Sequence, residues 1–201
     1  VAVNAALYHR ALRGEGGRID VAMFDCQVAL MDSPVVRHAG TGEIPGPLGA
    51  RHPSISPFEA YATAAAPLVI AAGNNRLFER LVDILELPSL ATDPRFATND
   101  QRACNAALLA GELESRLKER PRAHWLALLD EAAIPCAPIN NVAELMKNPQ
   151  VRARNMLVTV EDRQCGSMTA TGNPMKFTGF PDPVTRAGAP GHDEHRKALL
   201  A

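Results

Sequence analysis

The chain has 201 residues, with 21 basic against 22 acidic side chains and a net charge of −1. That balance excludes a polybasic nucleic-acid or membrane-surface protein as a property of the whole chain. With 46% hydrophobic and 21% charged residues, the composition is that of a soluble globular protein, long enough to bury a core without staples. The longest nearly apolar run, Ala64 to Gly73, is about half of the ~20 residues a membrane helix needs. No signal-peptide pattern opens the chain and no glycosylation sequon occurs, so a cytoplasmic location is expected. Cys26, Cys104, Cys136 and Cys165 are widely spaced. They predict buried, reduced thiols rather than a zinc site or a disulfide framework.

Val1 to Arg13 is rich in helix formers, and Gly14 follows as a natural helix terminator with Arg10 and Arg13 in the last turn. Nothing caps the start of that helix, which suggests a piece of a longer polypeptide. Arg18 to Phe24 alternates as a short strand or an extended entry into a helix over Asp25–Met31. Pro34, Pro45, Pro47 and Pro53, with Gly40, Gly42, Gly46 and Gly49, predict a long loop or linker over residues 33–53. Phe58–Thr63 and Leu68–Ala72 read as two short strands.

From Asn74 a helix is predicted with Leu77, Leu81, Ile84 and Leu85 on one face and Asn74 or Asn75 as its cap. Asp93-Pro94-Arg95-Phe96 is a turn. Asn99 or Asp100 then caps one long helix striped by Leu108, Leu109, Leu113 and Leu117. Pro121 opens a helix whose apolar face is Trp125, Leu128, Leu129 and Ala132. Ile134–Ile139 is extended because it holds two prolines. A short helix near Val142–Met146, strands at Met156–Val160 and Met168–Thr171, and a loop-rich tail ending in a short helix at Glu194–Ala201 complete the chain. Residues 54–140 thus form a small α+β domain, flanked by segments 1–32 and 141–201 that belong to something else.

No self-contained catalytic constellation stands out. The spacing of Gly40-Thr41-Gly42-Glu43-Ile44-Pro45-Gly46 is not that of a dinucleotide loop, and its prolines forbid the helix that would hold a pyrophosphate. His192-Asp193-Glu194-His195 carries ligand types, but lacks a metalloprotease order and a third distant ligand. It reads as a solvated helix start. Cys26 reads as a structural thiol and Trp125 as core, and no G-x-S-x-G elbow occurs.

The order of motifs resembles the family III CoA-transferases of the CaiB/BaiF type. That group includes formyl-CoA and carnitine CoA-transferases and, as relatives, the α-methylacyl-CoA racemases. The resemblance runs from Ile19-Asp20-Val21-Ala22-Met23-Phe24-Asp25 through Arg51-His52-Pro53 and Pro57-Phe58 to Gly73-Asn74-Asn75-Arg76-Leu77-Phe78. Asp93-Pro94-Arg95-Phe96 with Asn99 and Arg102, the Ile134–Ile139 stretch and Asn148-Pro149-Gln150 follow. Asn173-Pro174-Met175-Lys176-Phe177, Ala189-Pro190 and Glu194-His195 close it. The chain departs from the family pattern at Ala50, at Ala65-Ala66 in place of Asp-Gly, and at Asp193 in place of Gly.

The resemblance implies an α/β fold: part of a Rossmann-like large domain built from 1–32 and 141–201, a small α+β domain at 54–140, and an interlocked homodimer. It implies acyl-CoA and a carboxylic acid as substrates, with no metal. The family's nucleophilic aspartate would lie just upstream of Val1. No catalytic residue is therefore expected in this chain, and neither Asp20 nor Asp25 matches its position. Met23 matches a residue near the CoA-binding face. The stretch carrying Gly46, Gly49, Arg51 and His52 matches the glycine-rich loop that covers the active site. Two alternatives stand beside transfer: an acyl-CoA racemase or epimerase of the same superfamily, and a catalytically incomplete fragment that only binds partners.

Overall fold

Helix α1 (Ala2–Arg13) ends as its sequence predicts, with Gly14 at φ 74° donating its N–H to the Arg10 carbonyl at 2.8 Å. The computed structural model describes residues 1–200, in two units, Val1–Gly49 and the segment from Ala50 onward. In the first unit, residues 15–22 carry no regular structure and lead into α2 (Met23–Leu30), an extended entry rather than a strand. Helix α3 (Asp32–Thr41) corrects the long loop expected from residue 33. Pro34 sits in its first turn, where backbone N–H groups have no partner inside the helix, so the proline costs no hydrogen bond. Gly42, at φ 72°, closes α3 by donating to the His38 carbonyl at 2.8 Å. The irregular stretch therefore begins at Gly42. No residue of 1–49 is buried within this chain.

The second unit opens with strands β1 (Phe58–Tyr61) and β2 (Leu68–Ala71), paired antiparallel with Tyr61 opposite Leu68. Their connection carries Ala65-Ala66, and the Thr63 hydroxyl donates to the Ala66 carbonyl at 2.8 Å in place of turn chemistry from Asp-Gly. Strand β3 (Cys136–Pro138) adds antiparallel to the other edge of β2, giving the order β1-β2-β3. Between β2 and β3 run α4 (Asn75–Ile84), α5 (Ser89–Thr92), α6 (Asn99–Cys104), α7 (Ala106–Leu117) and α8 (Arg122–Glu131). The Asn74 side chain caps α4 by accepting from Leu77 N–H at 2.8 Å.

The expected single helix from Asn99 is two helices, broken at Asn105, and its cap is Thr98 in a reciprocal capping box with Gln101. The buried stripe keeps one register across the break. Ala106, Leu109, Leu113 and Leu117 are buried, and Leu108 is exposed. On α4 the buried positions are Phe78, Leu81 and Val82, with Leu85 just beyond, while Leu77 and Ile84 pack at the margin.

One core joins these elements, from Tyr61, Leu68 and Ile70 through Phe78, Leu81 and Phe96 to Leu113, Leu117, Trp125, Leu129 and Ile134. Each such side chain contributes about 1.5–3 kcal/mol on leaving water. Trp125 belongs to it as expected, and its indole N–H donates to the Leu117 carbonyl at 2.8 Å. Helices α4 and α8 close alike. Leu87 N–H reaches the Val82 carbonyl and Ile134 N–H the Leu129 carbonyl, with Glu86 and Ala133 in the left-handed region that glycine normally fills.

Beyond β3 come α9 (Val142–Lys147), α10 (Pro149–Ala153), β4 (Leu157–Asp162), β5 (Gly166–Thr171), β6 (Thr185–Ala187) and α11 (Arg196–Leu200). Strand β5 pairs antiparallel and β6 parallel with β4, in the order β5-β4-β6. Strand β6 was not predicted. The predicted terminal helix starts at Arg196 instead of Glu194, and its last residue, Ala201, lies outside the described residues.

The buried-thiol expectation is corrected. Cys26, Cys104 and Cys165 are exposed, Cys165 in the turn between β4 and β5, and Cys136 is half-buried against the core; all four are free. Among the described residues, no helix is long and apolar enough to cross a membrane.

Glu114 on α7 ties the helix layer to the sheet. Its carboxylate accepts from Ala62 N–H at 2.8 Å and from Lys118 at 2.6 Å, which holds its carboxyl below the ordinary value of 4.5. A depressed carboxyl adds stability above its unfolded pKa and loses it as pH falls through the folded one. Urea unfolding as a function of pH should therefore show Glu114→Gln losing part of the wild-type decline in stability below about pH 4.5.

Candidate functional site

The expected site residues divide between the two units. Met23 is the first residue of α2 and is 86% exposed. Gly46 and Gly49 lie in the irregular stretch after α3, and Gly49 adopts φ 63°, a conformation that strains any other residue. Arg51 and His52 belong to the second unit and are half-buried.

His52 is fixed on every side. Pro53 has no N–H, so the His52 Nδ1 accepts from the next two backbone donors, Ser54 N–H at 3.2 Å and Ile55 N–H at 3.0 Å. The ring proton is accordingly on Nε2. The ring stacks on Phe58 with centroids 5.3 Å apart and planes 8° from parallel. The His52 N–H donates to the Phe58 carbonyl at 2.9 Å.

Arg51 faces Glu59 on β1. Burial raises the Glu59 carboxyl above its ordinary value, against the opposing effects of the Tyr61 hydroxyl and the Arg51 charge. Tyr61 is buried, and burial together with Glu59 pushes its phenol up, so it remains a neutral donor to Glu59 at 3.4 Å.

The same segment is bolted from below by a residue whose role composition and spacing did not reveal. Arg102 is fully buried with no carboxylate partner. Its guanidinium donates to the carbonyls of Ser56 at 2.8 Å, Phe96 at 3.0 Å and Gly73 at 3.2 Å, and to Asn75 Oδ1 at 3.0 Å. It also lies over the Phe78 ring, 4.6 Å from the centroid. Burial lowers its pKa, yet a guanidinium stays charged. Neighbouring Asn99 accepts from Ser56 N–H at 3.1 Å and donates to the Ser54 carbonyl at 2.8 Å. Gly73 leaves room for Ile55, whose side chain occupies the place of a Cβ. The Asp93–Phe96 turn is stabilised by Arg95, whose side chain and N–H both bind the Asp93 carboxylate and hold it below the usual range.

One signal could have exposed Arg102. It continues the buried register of 106, 109, 113 and 117 backwards by one turn, a place where an apolar residue is expected.

Elsewhere, an open cleft of about 530 Å³ is lined by residues including Met146, Lys147, Arg152 and Leu157, and no expected site residue borders it. Around His192–His195, Glu194 accepts from Gly191 N–H and pairs with Arg163 at 2.6 Å, and Asp193 holds φ 60° where the family pattern has glycine. Among the described residues, no three His, Cys, Asp or Glu side chains gather as a metal site.

The profile of CoA-transferase family III matches residues 1–196, so the chain belongs to that family. It is 41% identical to the acetyl-CoA:oxalate CoA-transferase of Acetobacter aceti over 98% of this chain and 49% of that protein. It is 32% identical to a succinate–glutarate CoA-transferase of Agrobacterium fabrum over 100% of this chain and 50% of that one. The crystal structure of a CaiB/BaiF family protein from Brucella suis matches with a TM-score of 0.82 at 32% identity, covering 99% of this chain and 51% of that chain. The mixed α/β fold is thus that of the family, and the chain spans about half the length of the relatives it matches.

Leucine at 102 would leave three carbonyls and an amide oxygen unpartnered, so Arg102→Leu should cost about 3 kcal/mol in urea unfolding. Gly73→Ala, which drives a methyl into Ile55, should cost about 1–3 kcal/mol in the same experiment.

Proposed function

We propose that this chain supplies the C-terminal half of an acyl-CoA:carboxylate CoA-transferase. The observation that carries the proposal is the 41% identity, over 98% of the chain, to a protein named for CoA transfer between acetyl-CoA and oxalate. In this reading an aspartate carboxylate on a segment preceding Val1 attacks the thioester carbon of acyl-CoA. CoA thiolate leaves, and an acyl–aspartyl anhydride remains. The thiolate then attacks the aspartyl carbonyl, releases the donor acid and leaves an enzyme-bound CoA thioester. The acceptor carboxylate reverses these steps.

Residues 1–32 and 141–201 would belong to the large domain of an interlocked dimer and 54–140 to the small one. Met23 would lie at the CoA-binding face. The loop with Gly46 and Gly49, followed by Arg51 and His52, would cover the anhydride and keep water from it. Gly49, at φ 63°, holds a loop conformation open to glycine and strained for other residues. Oxalate, glutarate and succinate, the acids in the relatives' names, are all dicarboxylates, which supports a dicarboxylic acceptor. Those names speak for transfer over epimerisation.

The test uses the full-length protein with acetyl-CoA or succinyl-CoA as donor and oxalate or glutarate as acceptor. Ping-pong CoA exchange is expected, with a hydroxylamine-sensitive adduct on one aspartate. Exchange of an α-proton without CoA transfer would overturn the proposal in favour of an epimerase. Gly49→Pro replaces φ 63° by a ring fixed near −65°, and it should raise acyl-CoA hydrolysis relative to transfer. An unchanged ratio would remove the cover role.

A further inference from the structure

We propose that Asn99 is a positioning residue for the loop of residues 42–50, acting by holding residues 54–56 as the fixed post to which the loop is tied. The inference rests on the cover role given to that loop above.

The helix does not use the Asn99 side chain. Capping of α6 is carried out by Thr98 and Gln101, and Asn99 is the first helical residue, facing away from that box to Ser54 and Ser56. Its carboxamide makes two bonds of opposite polarity there, accepting from Ser56 N–H and donating to the Ser54 carbonyl. Only a side chain with both an acceptor and a donor on one plane can do this. Aspartate lacks the donor, and alanine lacks both.

The bonding is dense from His52 to Phe58. His52 Nδ1 takes the Ser54 and Ile55 N–H groups, Asn99 takes the Ser56 N–H, Arg102 takes the Ser56 carbonyl, and Ala72 N–H takes the Pro57 carbonyl at 2.8 Å. Immediately upstream the bonding is sparse: past Glu43, which is tied back to His38 and Thr41, the described residues 44–51 carry only the turn at Gly49–Ala50. A loop with so few bonds of its own takes its reach and direction from where its ends are fixed. Asn99 sets one end.

The experiment compares the full-length wild type with Asn99→Ala, Asn99→Asp and Gly49→Pro, using acetyl-CoA with oxalate and succinyl-CoA with glutarate. Two quantities are read: amide hydrogen exchange at Ile55 and Ser56, and the ratio of acyl-CoA hydrolysis to CoA transfer. Asn99→Ala should speed exchange at these amides by about tenfold or more, the loss of one hydrogen bond's protection, with α7 amides unchanged. The hydrolysis ratio should rise several-fold. Asn99→Asp, which keeps the acceptor, should fall between wild type and alanine in both readouts, and it decides the matter if the alanine variant does not fold. Faster local exchange with an unaltered ratio overturns the positioning role, and so does unaltered exchange. If Gly49→Pro raises the ratio and the Asn99 variants do not, only the role of Asn99 has failed. If none of the three raises it, the cover role has failed. A wild type that moves no CoA between these pairs removes the cover role and this inference together.

Discussion

The core of the unit from Ala50 onward is organised around one charge that, among the described residues, has no counter-charge. Arg102 is neutralised by oxygen dipoles: three backbone carbonyls and one amide oxygen, drawn from the segment before β1, the turn before α4 and the turn before α6. Each of those segments is irregular, and each would otherwise present a carbonyl to the interior with nothing to satisfy it. A planar fork of five donors is the only side chain that can serve several such acceptors at once. Phe78 supplies a π face against the same cation. The guanidinium thus lets three non-repetitive stretches meet inside a core that ladder hydrogen bonds alone could not close.

This clarifies what the family motifs do. Gly73, Asn75, Phe96, Asn99 and Arg102 come from two separate motifs, and in the fold they converge on one point. Their convergence is scaffold chemistry. The residues proposed to meet substrate lie elsewhere, at Met23 and in the stretch from Gly46 to His52. Much of what makes the sequence resemble its family therefore records how the unit from Ala50 onward holds together.

Local signals were legible wherever the chain solves its problems locally. The Asn74 cap, the Gly14 stop, the Pro121 start and the proline-enforced extension of β3 each depend on a few neighbouring residues, and each was predicted from them. Signals failed where position within an element mattered more than residue type. Pro34 was weighed as a breaker, but within a first turn it breaks nothing. Asn105 interrupts what periodicity presents as one helix, and Leu108 falls off the buried face of α7. Strand β6 is three residues long and gains its identity only by pairing with β4, far away in sequence. Of the candidate site, the residues were found through family resemblance, while the anchoring of His52 by Ser54, Ile55 and Phe58, and the buttress beneath it, required coordinates.

The contiguity of this core has a consequence for synthesis. All of its buried side chains lie between Tyr61 and Ile134, and its sheet is complete at Pro138. A ribosome thus polymerises every residue of that core before it makes residues 141–200. By the time those last residues clear the ribosome the core can already be closed, while α1 and α2 still expose Leu12, Phe24 and Leu30.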